Sequence, residues 1–357
     1  MASARHIATP KPAPELTERE ELVLRYIVQH YILTANPVGS RYISKRLEEE
    51  SVSAATIRNA MADLEEKGYI SHPHTSAGRV PTDRGYRLYV DSLVRGDKLS
   101  VAERAAIRNQ INPAAATPVL MKEVSRLIAS ISLQLGIVTA PELLDSRLER
   151  LELVPLSSTR LLVVLSLRAR LIKTVTLEVQ EEIPREQIDF LVQILNERFG
   201  GLTLREIRSS CRERLRDVVD ERSDSLLKVL LDSSDKIFTG SSEGERIQIS
   251  PTQNILRHPE FANPDQLRGI VELVENEEMV IHLLDGHSGE EHTVDITIGG
   301  EHGNERMVDY SLITTRYKVG TTTGTIGLIG PKRMNYSKMI TVVEYIARTI
   351  TDNFHDG

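Results

Sequence analysis

Between Ser53 and Gly68 the apolar residues Ile57, Ala60, Met61 and Leu64 recur at helical spacing, so they share one face of a helix. The opposite face carries Ala55, Asn59, Ala62 and Glu66, with Thr56 and Arg58 on its flanks. Ser53 is placed to accept from the amides of the first turn, and Gly68 to take the left-handed conformation that ends a helix. Upstream, Thr17 and Glu20 predict a capping box for a helix through Leu22 and Ile27, which Asn36-Pro37-Val38-Gly39 breaks. Ser40 is expected to cap a second, short helix with Ile43 and Leu47 inside and Arg41, Lys45 and Arg46 outside. Tyr69-Ile70 and Val80-Pro81 bracket the polar run HPHTSAGR, which reads as strand, tip, strand, with Gly78 allowing a tight turn.

Farther along, Val124, Leu127, Ile128, Ile131 and Leu135 predict the inner stripe of a helix over Thr117 to Leu135. The runs Leu148 to Leu156, Leu161 to Leu167 and Leu171 to Val179 read as antiparallel neighbours. Pro184 opens a helix through Ile188, Leu191 and Leu195 that Gly200-Gly201 stops, and helical patterns fill 203–237. Strands are predicted at Arg246 to Ile249, His292 to Ile298, Met307 to Tyr317 and Thr325 to Ile329, with a helix at PDQLRGIVELVE and a last one from Tyr336. This order predicts one sheet domain interrupted by an insert.

Two short helices followed by a polar hairpin is the plan of a winged helix-turn-helix, which sets one helix into the major groove of DNA. The N-terminal half of such a helix meets base edges. Asn59 suits adenine, Arg58 guanine or a phosphate, and Ala55 a thymine methyl, with Ser53 and Thr56 beside them. Ser40, Arg41 and Lys45, together with His72, His74, Thr75, Ser76 and Arg79 of the hairpin, are candidates for phosphate contact. The rival readings are an amphipathic helix with a solvated face and an idle surface turn. A metal site built on His72 and His74 is the weakest, since no cysteine or third ligand lies nearby.

Composition narrows the class. Of 357 residues, 40% are hydrophobic and 27% charged, which fits two or three globular domains. The net charge is −7, but residues 1–95 balance at +1 and the remainder at −8, so any DNA-binding charge must be concentrated on one face. No apolar run approaches the ~18–20 residues of a membrane span, and the N-terminus lacks the core of a signal peptide. The single cysteine, Cys211, excludes an intramolecular disulfide and points to the cytoplasm. No GxxxxGK[ST], HExxH or GxSxG motif occurs, and Gly324-x-x-Gly327-x-x-Gly330 fits a closely packed strand better than a ligand loop. Glu181-Glu182 and Glu277-Glu278 read as solvated pairs. The expectation is no enzyme, no cofactor and no metal.

The strings LTEREELVLRYIVQHYILTANPVGSRYISKRL and SAATIRNAMADLEEKGYISHPHTSAGRVPTDRGYRLYVDSL, with IGGEHG at Ile298 to Gly303 and GTTTGTIGLIGPKRMNYSKMITVVEYIAR at Gly320 to Arg348, resemble the bacterial heat-inducible transcription repressor HrcA family. The resemblance implies an α+β multidomain chain with a winged helix-turn-helix, a GAF-like α/β domain and an inserted α+β dimerisation domain. Joined to the pattern above, it places a disordered tail at 1–15, the DNA-binding domain at 16–95, the GAF-like domain at 96–180 and 263–357, and the insert at 181–262. It further implies a homodimer that represses chaperone operons through an inverted-repeat operator on double-stranded DNA, with a GroEL-type chaperonin as modulator. The alternative is a ligand-gated regulator that senses a small molecule through the GAF-like domain. A third class would use the winged helix to bind protein.

Overall fold

The structure, a computed structural model, describes residues 15–47, 53–73, 78–93, 98–112, 117–218, 224–240, 246–285 and 293–354. The expected tail up to residue 14 lies outside the described residues, as do His74, Thr75 and Ser76. The chain divides into two compact units.

The first unit joins residues 1–95 to two short returns, 298–308 and 332–337. Its elements are α1 (Glu18–Thr34), α2 (Ser40–Arg46), α3 (Ala54–Glu66), β1 (Ile70–Ser71), β2 (Val80–Pro81) and α4 (Asp83–Asp91). The Thr17–Glu20 capping box opens α1 as its sequence predicts. Val23, Leu24, Ile27 and Val28 of α1 are buried, as are Ile57, Ala60, Met61 and Leu64 of α3, and the two helices pack together. Ile43 and Leu47 bring α2 into the same core.

Gly68, at φ +76°, ends α3: its N–H donates to Glu65 O at 3.0 Å, and the Tyr69 N–H donates to Leu64 O at 2.9 Å. That pair of bonds is a Schellman motif. Gly39, not Ser40, is the N-cap of α2; Ser40 is already helical, because Gly39 holds extended backbone and accepts from the Tyr42 N–H at 3.0 Å.

Glu20 locks α1 to the end of α3. Its carboxylate is almost fully buried and accepts from Lys67 Nζ at 2.7 and 2.8 Å and from the Thr17 N–H at 2.7 Å.

α4 captures the two returns. Asp83 accepts from the Gly300 N–H at 2.9 Å and from Lys332 Nζ at 2.7 Å. Gly299 sits at φ +53° with the Asp83 carboxylate where a Cβ would stand, 2.2 Å from the nearest oxygen. One turn on, Arg87 forks onto Glu301, whose Oε2 also accepts from the Ile298 N–H at 2.9 Å. Arg333 Nη1 donates to Ile32 O, in the last turn of α1, at 2.6 Å. Tyr336 is wholly buried near Tyr86, ring centroids 6.1 Å apart. IGGEHG and the KRMNY part of the second string, Lys332 to Tyr336, are thus structural pieces of the first unit.

The second unit contains α5 (Val101–Gln110), α6 (Thr117–Ser132), β3 (Leu135–Thr139), β4 (Leu148–Ser157), β5 (Arg160–Leu167), β6 (Leu171–Glu178), α7 (Arg185–Phe199), α8 (Leu204–Arg214), α9 (Asp224–Asp232) and α10 (Ser234–Ile237). It continues through β7 (Ile247–Ile249), α11 (Pro264–Glu275), α12 (Glu277–Asp285), β8 (Val294–Ile298), β9 (Tyr310–Val319), β10 (Thr322–Pro331) and α13 (Tyr336–Asn353), apart from the returns already assigned. A five-stranded sheet runs β7-β3-β10-β9-β8; β10 pairs antiparallel with β9 and with β3, Ile329 opposite Leu135 and Gly327 opposite Ile137. Leu135 therefore belongs to a strand and not to the preceding helix. α6 stops at Ser132, and Leu133 turns the chain at φ +59°.

The strands β4-β5-β6 are antiparallel neighbours as their sequence predicts, but they form a separate three-stranded sheet. Asn196 of α7 covers its β4 edge, accepting from the Leu151 N–H and donating to Leu151 O, both at 2.8 Å. The chain leaves the five-stranded sheet after Thr139 and re-enters it at Ile247, because β4–β6 pair only with one another while β7 pairs with β3.

Burial pushes the Glu20 pKa up, but the Lys67 and Thr17 hydrogen bonds and the Lys67 charge together bring it below its ordinary 4.5. A depressed carboxylate stabilises the fold above its unfolded pKa and loses that contribution as pH falls through the folded value. Glu20→Gln is expected to lower stability by about 1–2 kcal/mol at neutral pH, with the gap from wild type closing in acid. Chemical denaturation at pH 7 and at pH 3 measures both.

Candidate nucleic-acid interface

The helix α3 is anchored on one side and open on the other. Its N-cap is Ser53, whose hydroxyl accepts from the Thr56 N–H at 3.1 Å and lies 2.8 Å from the Thr56 hydroxyl. Both hydroxyls are therefore engaged in starting the helix, which makes them supports for their neighbours before they are contacts of their own. Ala55, Arg58 and Asn59 are exposed within the first two turns. Arg58 Nε donates to Ala54 O at 3.4 Å, a long bond that leaves the guanidinium fork on the surface. Ala62, Asp63 and Glu66 continue this exposed face toward the C-terminus. Charge therefore runs from positive to negative along the open side.

On α2, Arg41 and Lys45 are exposed and Ser40 is half-buried. Arg46 lies over the Tyr42 ring, 5.8 Å from its centroid, and the Tyr42 ring packs at a 37° tilt against His30.

The hairpin β1–β2 pairs Ile70 with Pro81 and Ser71 with Val80. Its second arm is also bridged to Val38: the Val38 N–H donates to Arg79 O at 2.8 Å and the Arg79 N–H to Val38 O at 2.9 Å. This explains Gly78. A Cβ there would stand 2.7 Å from the carbonyl carbon and oxygen of Val38, so glycine is needed for close approach and not for a tight turn.

Glu65 of α3 reaches the hairpin. Its Oε1 meets His72 Nδ1, and its Oε2 accepts from both Nε and Nη2 of Arg79 at 2.8 Å. Burial raises the Glu65 pKa, while the His72 hydrogen bond and the Arg79 charge outweigh it and hold the carboxyl below the usual range. Two residues expected to meet phosphate, His72 and Arg79, thus already have an anionic partner. Sequence reasoning missed Glu65. Its separation from Arg79, 14 residues along the chain, carried no periodic signal.

Other candidate chemistry resolves into packing. Gly324 lies beneath Tyr317, where a Cβ would come within 2.5 Å of the ring, and Gly327 lies against Leu284 and Thr314. Burial pushes the Cys211 thiol up to about 11, which suits an inert core residue. Glu181, Glu182, Glu277 and Glu278 are exposed. Among the described residues no group of three or more His, Cys, Asp and Glu is placed to hold a metal, and no helix is long and apolar enough to cross a membrane. Leu120, Met121, Val138, Leu171, Tyr317 and Ile350 line an apolar recess beside the five-stranded sheet.

Residues 119–340 match the family model described as the HrcA protein C-terminal domain. The chain is 41% identical over 346 residues to the heat-inducible transcription repressor HrcA of Chlorobium phaeobacteroides (strain BS1), covering 93% of this chain and 97% of that protein. It is 39% identical over 341 residues to the protein of the same name from Chlorobium chlorochromatii (strain CaD3), covering 94% and 97%. A crystal structure described as a hypothetical protein superposes with a TM-score of 0.66 at 25% identity, covering 95% of this chain and 99% of that one.

Replacing Gly78 by alanine is expected to force the hairpin off Val38 and destabilise the fold by about 1–3 kcal/mol, since the obstructing atoms are backbone and cannot swing aside. A thermal melt of Gly78→Ala, set against the Gly39→Ala control, where the backbone is at φ −92° and open space surrounds the added methyl, checks this.

Proposed function

The chain belongs to the HrcA family of heat-inducible transcription repressors, and from that membership we propose that it is a homodimeric repressor of chaperone operons acting on an inverted-repeat operator. In this reading the first unit is a winged helix-turn-helix whose α3 enters the major groove. The observation that carries it is the open N-terminal half of α3, with Ala55, Arg58 and Asn59 exposed above a fully buried stripe. Asn59 pairs with adenine, Arg58 with guanine or a phosphate, and Ala55 packs on a thymine methyl. Arg41 and Lys45 meet the phosphate backbone, with Ser40 beside them, and His74, Thr75 and Ser76 supply further donors to the adjoining strand or groove, while Glu65 holds His72 and Arg79 at the base of the hairpin. A two-fold protein requires a two-fold site, with half-sites separated by whole turns of DNA, roughly 34 Å each.

We assign a GAF-like role to the five-stranded sheet and its helices, and dimerisation to the segment between β3 and β7. Exposed apolar side chains in that segment support this, among them Leu156 at 53% and Phe190 at 58% of full accessibility. Heat acts on a dimer of modest stability, where a loss of about 1.4 kcal/mol moves the equilibrium tenfold, and a chaperonin restores the active form. The protein works in the cytoplasm and catalyses no reaction.

Gel shifts on a duplex from the gene's own upstream region, with non-specific competitor, test the DNA reading. Arg58→Ala and Asn59→Ala are each expected to cost about 1–3 kcal/mol of operator affinity and to relax specificity at the base contacted. Unchanged binding in both variants overturns the assignment.

A further inference from the structure

The last two turns of α3 carry three acids, and among the described residues one of them, Glu65, has partners on the hairpin. Asp63 and Glu66 are exposed; Glu65 is half-buried and takes His72 on one oxygen and two Arg79 nitrogens on the other. Partly exposed ion pairs of this kind add little to folding. Stability is therefore a poor reason for an acid beside a DNA-binding hairpin. Charge is a better one, since each cation that neutralises a phosphate adds about 0.9 to the slope of log affinity against log salt, whatever the base sequence. A carboxylate that holds Arg79 cancels that contribution, and it also fixes the side chain against α3.

We propose that Glu65 is a specificity-determining residue of the DNA interface: by holding Arg79 and His72 at the base of the hairpin, it suppresses sequence-independent phosphate binding. The inference rests on the DNA-binding reading above. Asp63 and Glu66 repel DNA generally, whereas Glu65 acts through a particular arginine. Its effect must therefore depend on Arg79.

The test uses the full chain as wild type, Glu65→Gln, Arg79→Gln and the double variant, with fluorescence anisotropy on operator and random-sequence duplexes over a salt series. Circular dichroism confirms the fold of each. Glu65→Gln is expected to tighten random-duplex binding roughly three- to ten-fold at ~0.1 M salt and to steepen its salt slope by about 1, so that the operator-to-random ratio falls. Arg79→Gln alone is expected to change random-duplex affinity less than about two-fold, because Glu65 already silences that charge, and the double variant is expected to lose most of the Glu65→Gln gain. The Arg79→Gln arm stands by itself should Glu65→Gln fold poorly. A random-duplex slope unchanged by Glu65→Gln overturns the inference. So does a gain of equal size with and without Arg79, since the acid would then merely repel DNA. A wild-type protein that does not discriminate operator from random duplex overturns the DNA reading itself, and that result is visible before any variant is compared.

Discussion

Everything in the first unit depends on sinking one face of α3 while leaving the other open. Ile57, Ala60, Met61 and Leu64 take the buried side and pack toward α1, and each full burial of a large apolar side chain is worth about 1.5–3 kcal/mol. A helix of 13 residues is marginal alone, so that packing, with the Ser53 cap and the Gly68 terminus, is what makes it a helix. The open side can then be chosen for chemistry, because it carries none of the folding load. Arg58 and Asn59 stand where substitution costs the fold little and alters the surface most.

The hairpin is built on the opposite principle. Its strands are only two residues each, too short for independent stability, so it borrows support from elsewhere. Val38 lends a third strand position, and Gly78 removes the side chain that would block it. Position is fixed at the base of the loop, which is the part that must hold a register relative to the helix beside it.

What could be read from the sequence follows from this difference. The stripe, cap and terminus of α3 are local and periodic, and the three strands β4–β6 are runs with clear turns between them, so each was legible. Features made by distant contacts were not. Gly78 looks like a turn glycine until Val38 is seen against it. α4 escaped notice because a glycine stands in its first turn; Gly85 is there because a Cβ would meet the Tyr69 carbonyl oxygen at 2.2 Å. Leu135, the first residue of β3, reads as helical because Leu133 makes the left-handed turn without the usual glycine. The five-stranded sheet needs β3 between β7 and β10, a neighbourhood that no local run of residues announces. The charges of His72 and Arg79 were visible, but a sequence prints charges without their partners.

The captured returns have an evolutionary consequence. A gene segment ending at residue 95 would carry Asp83 and Arg87 without Lys332, Glu301 and the Gly300 amide that they bind, and Tyr86 without Tyr336 beside it. The first unit of this lineage is therefore not a cassette that recombination can splice onto an unrelated partner domain. Its inheritance is bound to residues encoded more than two hundred codons downstream, and the two ends of the gene must drift together.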